Sequence, residues 1–370
     1  MQPISIYIHW PFCTKKCPYC DFNSFVTDRI DYDKWKDAYL RAIDSYGEII
    51  ASREIKSIFF GGGTPSLATP DIIKAIVDRL KLISTFAHNV EITLEANPTS
   101  VEARKFSEFK DGGVNRVSLG IQSLRDENLK FLGRNHSANE AIAAIEAVKK
   151  SFDNYSLDFI YALPHQTLSD WEKELNEAIS LASNHLSLYQ LTIENGTKFG
   201  AMARAGLLRE IDEEVAVEMF DLTYEVTKKH NLLRYEVSNH AKPGFESIHN
   251  LNYWNYGDYI GIGPGAHGRH NRLMTIDIKQ PDQWIKKVMS NGNGIEVSKP
   301  LSQDDIRIER IIMGMRTNYG IDITLVNEFE DLLQDNMVEV ENGRLRATNS
   351  GIKLLNAITA KLAQNYATSG

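Results

Sequence analysis

The sequence predicts an α/β fold: six βα units in a (βα)6 partial barrel, followed by a small winged-helix-like α+β domain. Three observations lead there. Short β-rich runs alternate with longer helical patterns over the first two-thirds of the 370 residues, which is the signature of βα units around a parallel sheet. The polar motifs sit just after those strands, where α/β barrels gather their chemistry on one face. From about residue 240 the texture changes to loops and then to a short helix-hairpin-helix pattern. The same alternation also fits a doubly wound sheet, and periodicity does not choose between the two.

Taken in order, strands are expected at 5–9, 57–60, 91–95, 116–119, 157–161 and 185–191. Helices are expected at 32–50, 70–84, 101–111, 138–151, 170–182 and 213–230. In the last, Val215, Met219, Leu222 and Val226 form an apolar stripe at helical spacing, which reads as core. Residues 1–240 are expected to form the barrel and 241–300 a loop-rich segment ending near Lys299-Pro300. Residues 301–370 are expected to form the second domain, with helices at 303–317 and 323–333. Asn342-Gly343 sits between two β-rich runs and is a strong hairpin signal.

Composition narrows the function classes. Hydrophobic residues make up 42%, charged residues 24%, and the formal net charge is −8. No run approaches the ~20 apolar residues of a membrane span. Residues 301–370 carry 7 basic and 10 acidic side chains, so a packing or lid role is expected there and no nucleic acid. The chain starts Met-Gln-Pro and is expected to enter a strand near Ser5, with no signal or transit peptide visible. Three free thiols without a secretion signal suit a reducing compartment, and a cytoplasmic location is expected.

Cys13, Cys17 and Cys20 are the only cysteines. A structural zinc site wants four ligands, and a disulfide framework wants an even count. Three thiolates at C-x3-C-x2-C suit a 4Fe–4S cluster with one iron left open to a small molecule, because each thiolate takes one iron of the cube. Zinc held by the three cysteines plus His9 is the alternative. Further along, Phe60-Gly-Gly-Gly-Thr-Pro-Ser66 is a glycine run whose backbone can approach a ligand and offer amide donors. Glu95 ends a strand, Gln122 follows one, and Asp158 lies within one, where a buried carboxylate needs a partner.

The cysteine loop after a first strand resembles the radical S-adenosylmethionine superfamily. Tyr7-Ile-His-Trp-Pro-Phe-Cys13 and Cys17-Pro-Tyr-Cys-Asp-Phe-Asn-Ser24 resemble more narrowly the HemW-type heme chaperones, the oxygen-independent coproporphyrinogen III oxidase-like proteins. The resemblance implies a partial TIM-type barrel. It implies S-adenosylmethionine on the open iron, cleaved by one electron to a 5′-deoxyadenosyl radical. It places Tyr7, Tyr19, Gly62, Gly63, Thr64, Glu95, Gln122, Arg134 and Asp158 at that cofactor. Family members read Tyr-Gly-Leu-Pro-Gly where this chain has Tyr161-Ala-Leu-Pro-His165. His249-Asn250-x-x-Tyr253-Trp254 is similar to a HemW-type signature. Histidine is a common axial ligand of heme iron, so His249 is the expected heme contact, with a hydrogen-bonded structural histidine as the other reading. His267, in the nearby glycine-rich run, is left open.

The function this implies is a heme chaperone that carries a 4Fe–4S cluster, S-adenosylmethionine and heme. Its expected partners are a heme-acceptor protein, with a membrane-associated one among the options, and an electron donor for the cluster. The alternative is the oxygen-independent coproporphyrinogen III oxidase. That enzyme has a fourth cysteine where this chain has Phe22, and a long segment ahead of the first strand that is not expected here.

Overall fold

The structure is a computed structural model and describes residues 3–364 and 366. Six parallel strands form its centre: β1 (Ile4–Trp10), β2 (Ile55–Gly62), β3 (Phe86–Ala96), β4 (Arg116–Gln122), β5 (Asn154–Tyr161) and β6 (His185–Gln190). They lie side by side in sequence order, without reversal. A doubly wound sheet reverses its order at a switch point. This one winds in a single direction, so strand order settles what periodicity left open, in favour of a partial barrel.

The barrel remains open, and each edge is extended by other strands. Beyond β6 lie β7 (Leu233–Arg234) and β8 (Asn239–Ala241), with β8 pairing antiparallel to β6. Beyond β1 lie β9 (Tyr259–Ile262), parallel to it, and then antiparallel β10 (His267–His270), β11 (Leu273–Asp277) and β12 (Ile295–Pro300).

Helices clothe the outside: α1 (Tyr32–Ser45), α2 (Pro70–Ile83), α3 (Phe106–Asp111), α4 (Ala138–Ser151), α5 (Leu168–Leu181) and α6 (Glu213–Lys229). Strand residues alternate between the two faces. On β1, Ile4, Ile6, Ile8 and Trp10 belong to the main apolar core, and the Trp10 ring packs on Trp35 and Tyr39 of α1. Ser5 and Tyr7 point the other way, into the barrel. There Ser57 Oγ donates to Ser5 Oγ at 2.7 Å.

The lower end of the barrel is closed by α7 (Ile248–Trp254), the helix of the His249 motif. Glu91 holds it in place. Its carboxylate accepts from Ser247 Oγ at 3.2 Å and from the amides of Ile248 and His249, both at 3.0 Å. Arg116 Nε stands 3.9 Å from the same carboxylate, and both side chains are buried. After α8 (Pro281–Asn291), the C-terminal part has its own apolar cluster around Ile311, Leu345 and Ile358. It comprises α9 (Gln303–Gly314), β13 (Ile321–Asp322), α10 (Glu330–Gln334), the hairpin β14 (Val338–Glu341) and β15 (Arg344–Ala347), and α11 (Leu355–Gln364). Asn342 and Gly343 turn that hairpin with φ of 52° and 75°, as a two-residue type I′ turn requires.

The continuous helix expected at 323–333 is not formed. Asp322 accepts from the amide and hydroxyl of Thr324 at 2.9 and 2.6 Å, and the chain makes only a 3-10 turn before α10. Such local side-chain bonds compete with helix propagation. The helix expected at 101–111 is likewise split, into Ser100–Ala103 and α3. Among the described residues, no helix is long and apolar enough to cross a membrane.

Replacing Glu91 with Ala should lower unfolding free energy by about 3–5 kcal/mol, since it strands the buried Arg116 charge. Urea unfolding measures this. A loss under ~1 kcal/mol would show that the Glu91 clamp does not hold the barrel floor.

Candidate functional site

The upper end of the barrel is built around the cysteine loop. After β1 the chain makes a two-residue strand, Phe12–Cys13, which pairs in parallel with Phe25–Val26. The cysteine excursion is therefore tied at both ends. The glycine run supports it from below. Gly63 N–H donates to Trp10 O at 2.7 Å and Thr64 N–H to Phe12 O at 2.8 Å. A Cβ at residue 63 would lie 2.6 Å from Phe12 O, so the glycine is there to let the cysteine strand pass. These amides serve the loop itself, and the Gly62 amide bonds Glu95 at 3.2 Å. The expected free amide donors are absent here. A ligand amino group would meet oxygens, chiefly the Glu95 carboxylate.

A second brace comes from β9 and its loop. Asn23 Nδ2 donates to Pro264 O and Lys279 O, both at 2.9 Å. His9 Nε2 donates to Asn23 O at 2.9 Å, and Tyr7 OH donates to His9 Nδ1 at 3.0 Å. A Cβ at residue 263 would come within 2.3 Å of His9 O, which explains part of the glycine-rich run at 261–268. Both His9 nitrogens are thus engaged, which removes the fourth ligand of the zinc reading. Among the described residues, no group of three His, Cys, Asp or Glu could hold a single metal ion. Thiolates on one zinc sit roughly 3.8 Å apart, given Zn–S near 2.3 Å. Thiolates on separate irons of a cube sit farther apart, so the donor set fits the cluster better.

Cys13, Cys17 and Cys20 line one cavity of about 390 Å³ together with Tyr19, Glu95 and Gln122. Arg134, Asp158 and the turn 62–64 complete its wall. The sequence-predicted set is therefore brought together, with two exceptions. Tyr7 lies beneath the cavity with its hydroxyl on His9. His249 lies on the barrel floor and is 1% exposed. Its Nδ1 bonds Ser57 Oγ and its Nε2 bonds Tyr253 OH, both at 2.9 Å. Its ring also stacks on Phe59 at 4.9 Å. The expected heme contact at His249 needs correcting, because neither nitrogen faces a space where iron can sit. Burial, with Lys56 and Arg116 nearby, pushes its pKa down to about 3, so the ring stays neutral.

Two residues escaped the sequence reading. Asn97 joins two of the thiols: Thr64 Oγ1 donates to Cys13 Sγ at 3.5 Å and accepts from Asn97 Nδ2 at 3.1 Å. Asn97 Oδ1 accepts from Arg134 Nη2 at 2.6 Å, and Arg134 Nη1 donates to Cys17 Sγ at 3.6 Å. Every donor in this chain is directed toward a sulfur at its end, a polarity suited to thiolates. Asn23 is the other. Asn23 stands inside the cysteine motif and Asn97 two residues past Glu95, but only contacts distant in sequence reveal their work.

The cavity wall is acidic. Burial and the facing Asp158 raise Glu95 from 4.5 to about 8. Burial also raises Asp158, whose oxygens accept from Ser118 at 2.8 Å and Ser156 at 2.9 Å. Two reluctant carboxyl groups in one cavity favour a cationic ligand, which would restore their charge. Gln122 ends β4 with a φ of 67°, a strained backbone of the kind that collects at binding sites. Ala162 and His165 have φ of 58° and 69°. The turn thus keeps a glycine-like path without glycine, at roughly 1–2 kcal/mol per residue.

The folded protein holds a proton on Glu95 that the unfolded chain releases above pH 4.5. Its contribution to stability is therefore lost as pH rises from 4.5 through about 8. The melting temperature of Glu95→Gln should rise relative to the unaltered protein across that window. A constant difference between pH 5 and 9 would refute the assignment.

Comparisons with known proteins bear on the family and the fold. The pattern of the radical SAM superfamily matches residues 7–178. A Bos taurus protein, radical S-adenosyl methionine domain-containing protein 1, mitochondrial, is 34% identical over 98% of this chain and 87% of its own. The heme chaperone HemW of Escherichia coli K12 is 42% identical over 73% of this chain and 71% of its own. Coproporphyrinogen III oxidase (HemN) of Escherichia coli has the same fold, with a TM-score of 0.83 at 21% identity over 98% of this chain and 91% of that one. The expected cytoplasmic location does not stand, because relatives in Bos taurus, Danio rerio, Mus musculus and Dictyostelium discoideum are named as mitochondrial. With its partial-barrel core, its cysteine loop and a relative aligned over nearly its whole length, this chain belongs to the radical S-adenosylmethionine superfamily.

Proposed function

We propose that the mouth of the barrel holds a 4Fe–4S cluster on Cys13, Cys17 and Cys20, with S-adenosylmethionine beside it, and that the protein handles heme as its cargo. The observation that carries the cofactor reading is the gathering of the three thiols with Glu95, Gln122, Arg134 and Asp158 around one cavity. When bound, the cluster supplies the electron that cleaves the sulfonium. The chain's own residues do the positioning. Arg134 offers a charged donor to Cys17 and to a ligand carboxylate. Glu95 and Asp158 accept from amino and hydroxyl groups. Tyr19, between Cys17 and Cys20, lines the same cavity. The segment expected to be loop-rich, 241–300, instead carries α7, α8 and four strands that extend the barrel sheet, and we read the part from residue 301 onward as a winged-helix-like unit beside the open edge of the barrel.

Heme transfer to an acceptor protein is the reading we favour. It rests on the 42% likeness to the HemW chaperone and on Phe22 at the place of a fourth cysteine. Coproporphyrinogen III oxidation is the second reading. Its support is a fold shared over 98% of the chain.

Cluster and activity are tested together. Cys13→Ser, reconstituted anaerobically, should lose the four-iron absorbance; a retained spectrum would remove the ligand assignment. With intact cluster, S-adenosylmethionine, reductant and coproporphyrinogen III, chromatography should find no protoporphyrinogen. Product over many turnovers would overturn heme transfer in favour of the oxidase.

A further inference from the structure

With His249 sealed in the barrel floor, a tetrapyrrole would have to sit elsewhere on the protein. A second cavity, of about 580 Å³, lies between β6, α6 and the C-terminal domain. It shares Tyr189, Gln190 and Thr192 with the cysteine cavity, so the two are neighbours across the end of β6. This is the open side of the barrel. β5 pairs with β6 along its whole length, whereas β8 pairs with its outer edge only at 185–187, so that edge has no strand beside it at residues 189–190. That unpaired edge lies beside the mouth, because the two cavities share Tyr189, Gln190 and Thr192.

The lining has two kinds of chemistry. Tyr189, Val217 and Leu354 are 42%, 41% and 53% exposed, and all three border this one cleft. Grouped apolar exposure of this sort marks a binding surface rather than scatter. Arg316 and Lys353 supply positive charge at the same cleft. Arg316 Nη2 pairs with the buried Glu236 at 3.3 Å, and its guanidinium lies 4.7 Å over the Trp254 ring. The Arg316 side chain is about a third exposed, so part of the guanidinium faces the cleft. Lys353 pairs with Asp221 at 2.7 Å, where Asp221 is half exposed. A surface pair of that kind is worth about 0–1 kcal/mol, and an incoming carboxylate can replace Asp221. Among the described residues lining the cleft there is no histidine, cysteine or methionine.

We infer that this cleft is the seat of the tetrapyrrole, its ring against Tyr189, Val217 and Leu354 and its propionates toward Arg316 and Lys353. The inference rests on the tetrapyrrole reading above. It carries a consequence that reading does not. Recognition falls on the macrocycle and its carboxylates, not on iron, so metal-free protoporphyrin should bind as well as heme. The cleft also places the macrocycle's edge beside the cysteine cavity, across Tyr189.

The full-length protein is titrated with heme and, separately, with protoporphyrin IX, following tryptophan quenching and the Soret band. Both should bind with Kd values within about threefold of each other, and Lys353→Glu and Leu354→Asp should each weaken both by about tenfold. These two positions lie outside the cysteine cavity, so iron content should not change. Heme binding without protoporphyrin binding, or unchanged affinity in both variants, would overturn the cleft while leaving the tetrapyrrole reading intact. If neither compound binds the unaltered protein, the tetrapyrrole reading itself falls, and the cleft with it.

Discussion

The mouth of this protein depends on one packing constraint: the strand Phe12–Cys13 must lie directly over the glycine turn at 62–64. Two backbone hydrogen bonds, from Gly63 and Thr64 to Trp10 and Phe12, set that contact. A side chain at residue 63 would collide with Phe12 O. Three thiols on an eight-residue excursion have no fixed arrangement of their own. They acquire one because both ends of the excursion are tied to the barrel and its far side is pinned by Asn23.

A second constraint acts at the opposite end. Interiors of eight-stranded barrels are filled by layers of side chains. Here six parallel strands, with β9 parallel beside β1, stop short of a closed ring, and α7 helps to fill the interior. Glu91 and Arg116 form the seat for that helix, and the His249 ring lies flat on Phe59 between Ser57 and Tyr253. A motif with the composition of a ligand site thus works as a plug. Plug and mouth are connected through β1, since the same strand carries Ser5 to the floor and His9 to the cysteine loop.

The open side gives the fold its asymmetry. The edge beyond β1 is continued by four strands, whereas the edge beyond β6 has only two short ones. The C-terminal domain fills part of that gap and leaves a cleft lined by apolar and cationic groups. The cysteine cavity and this cleft meet at Tyr189.

The sequence by itself determined the local facts: the three thiols and their spacing, the βα alternation, the Asn342-Gly343 turn, and the carboxylates at the end of one strand, Glu95, and within another, Asp158. These follow from residue type and short-range periodicity, which act over a few positions along the chain. Only the tertiary structure decided the rest. Strand order selected the barrel over the doubly wound sheet, because both share one periodicity and differ only in which strands meet. Burial of both ring nitrogens turned His249 from a candidate ligand into a structural group, which no pattern of neighbours in sequence can reveal. The Cys13–Thr64–Asn97–Arg134–Cys17 chain spans more than a hundred residues, and its bonds exist only once the strands that carry them are side by side.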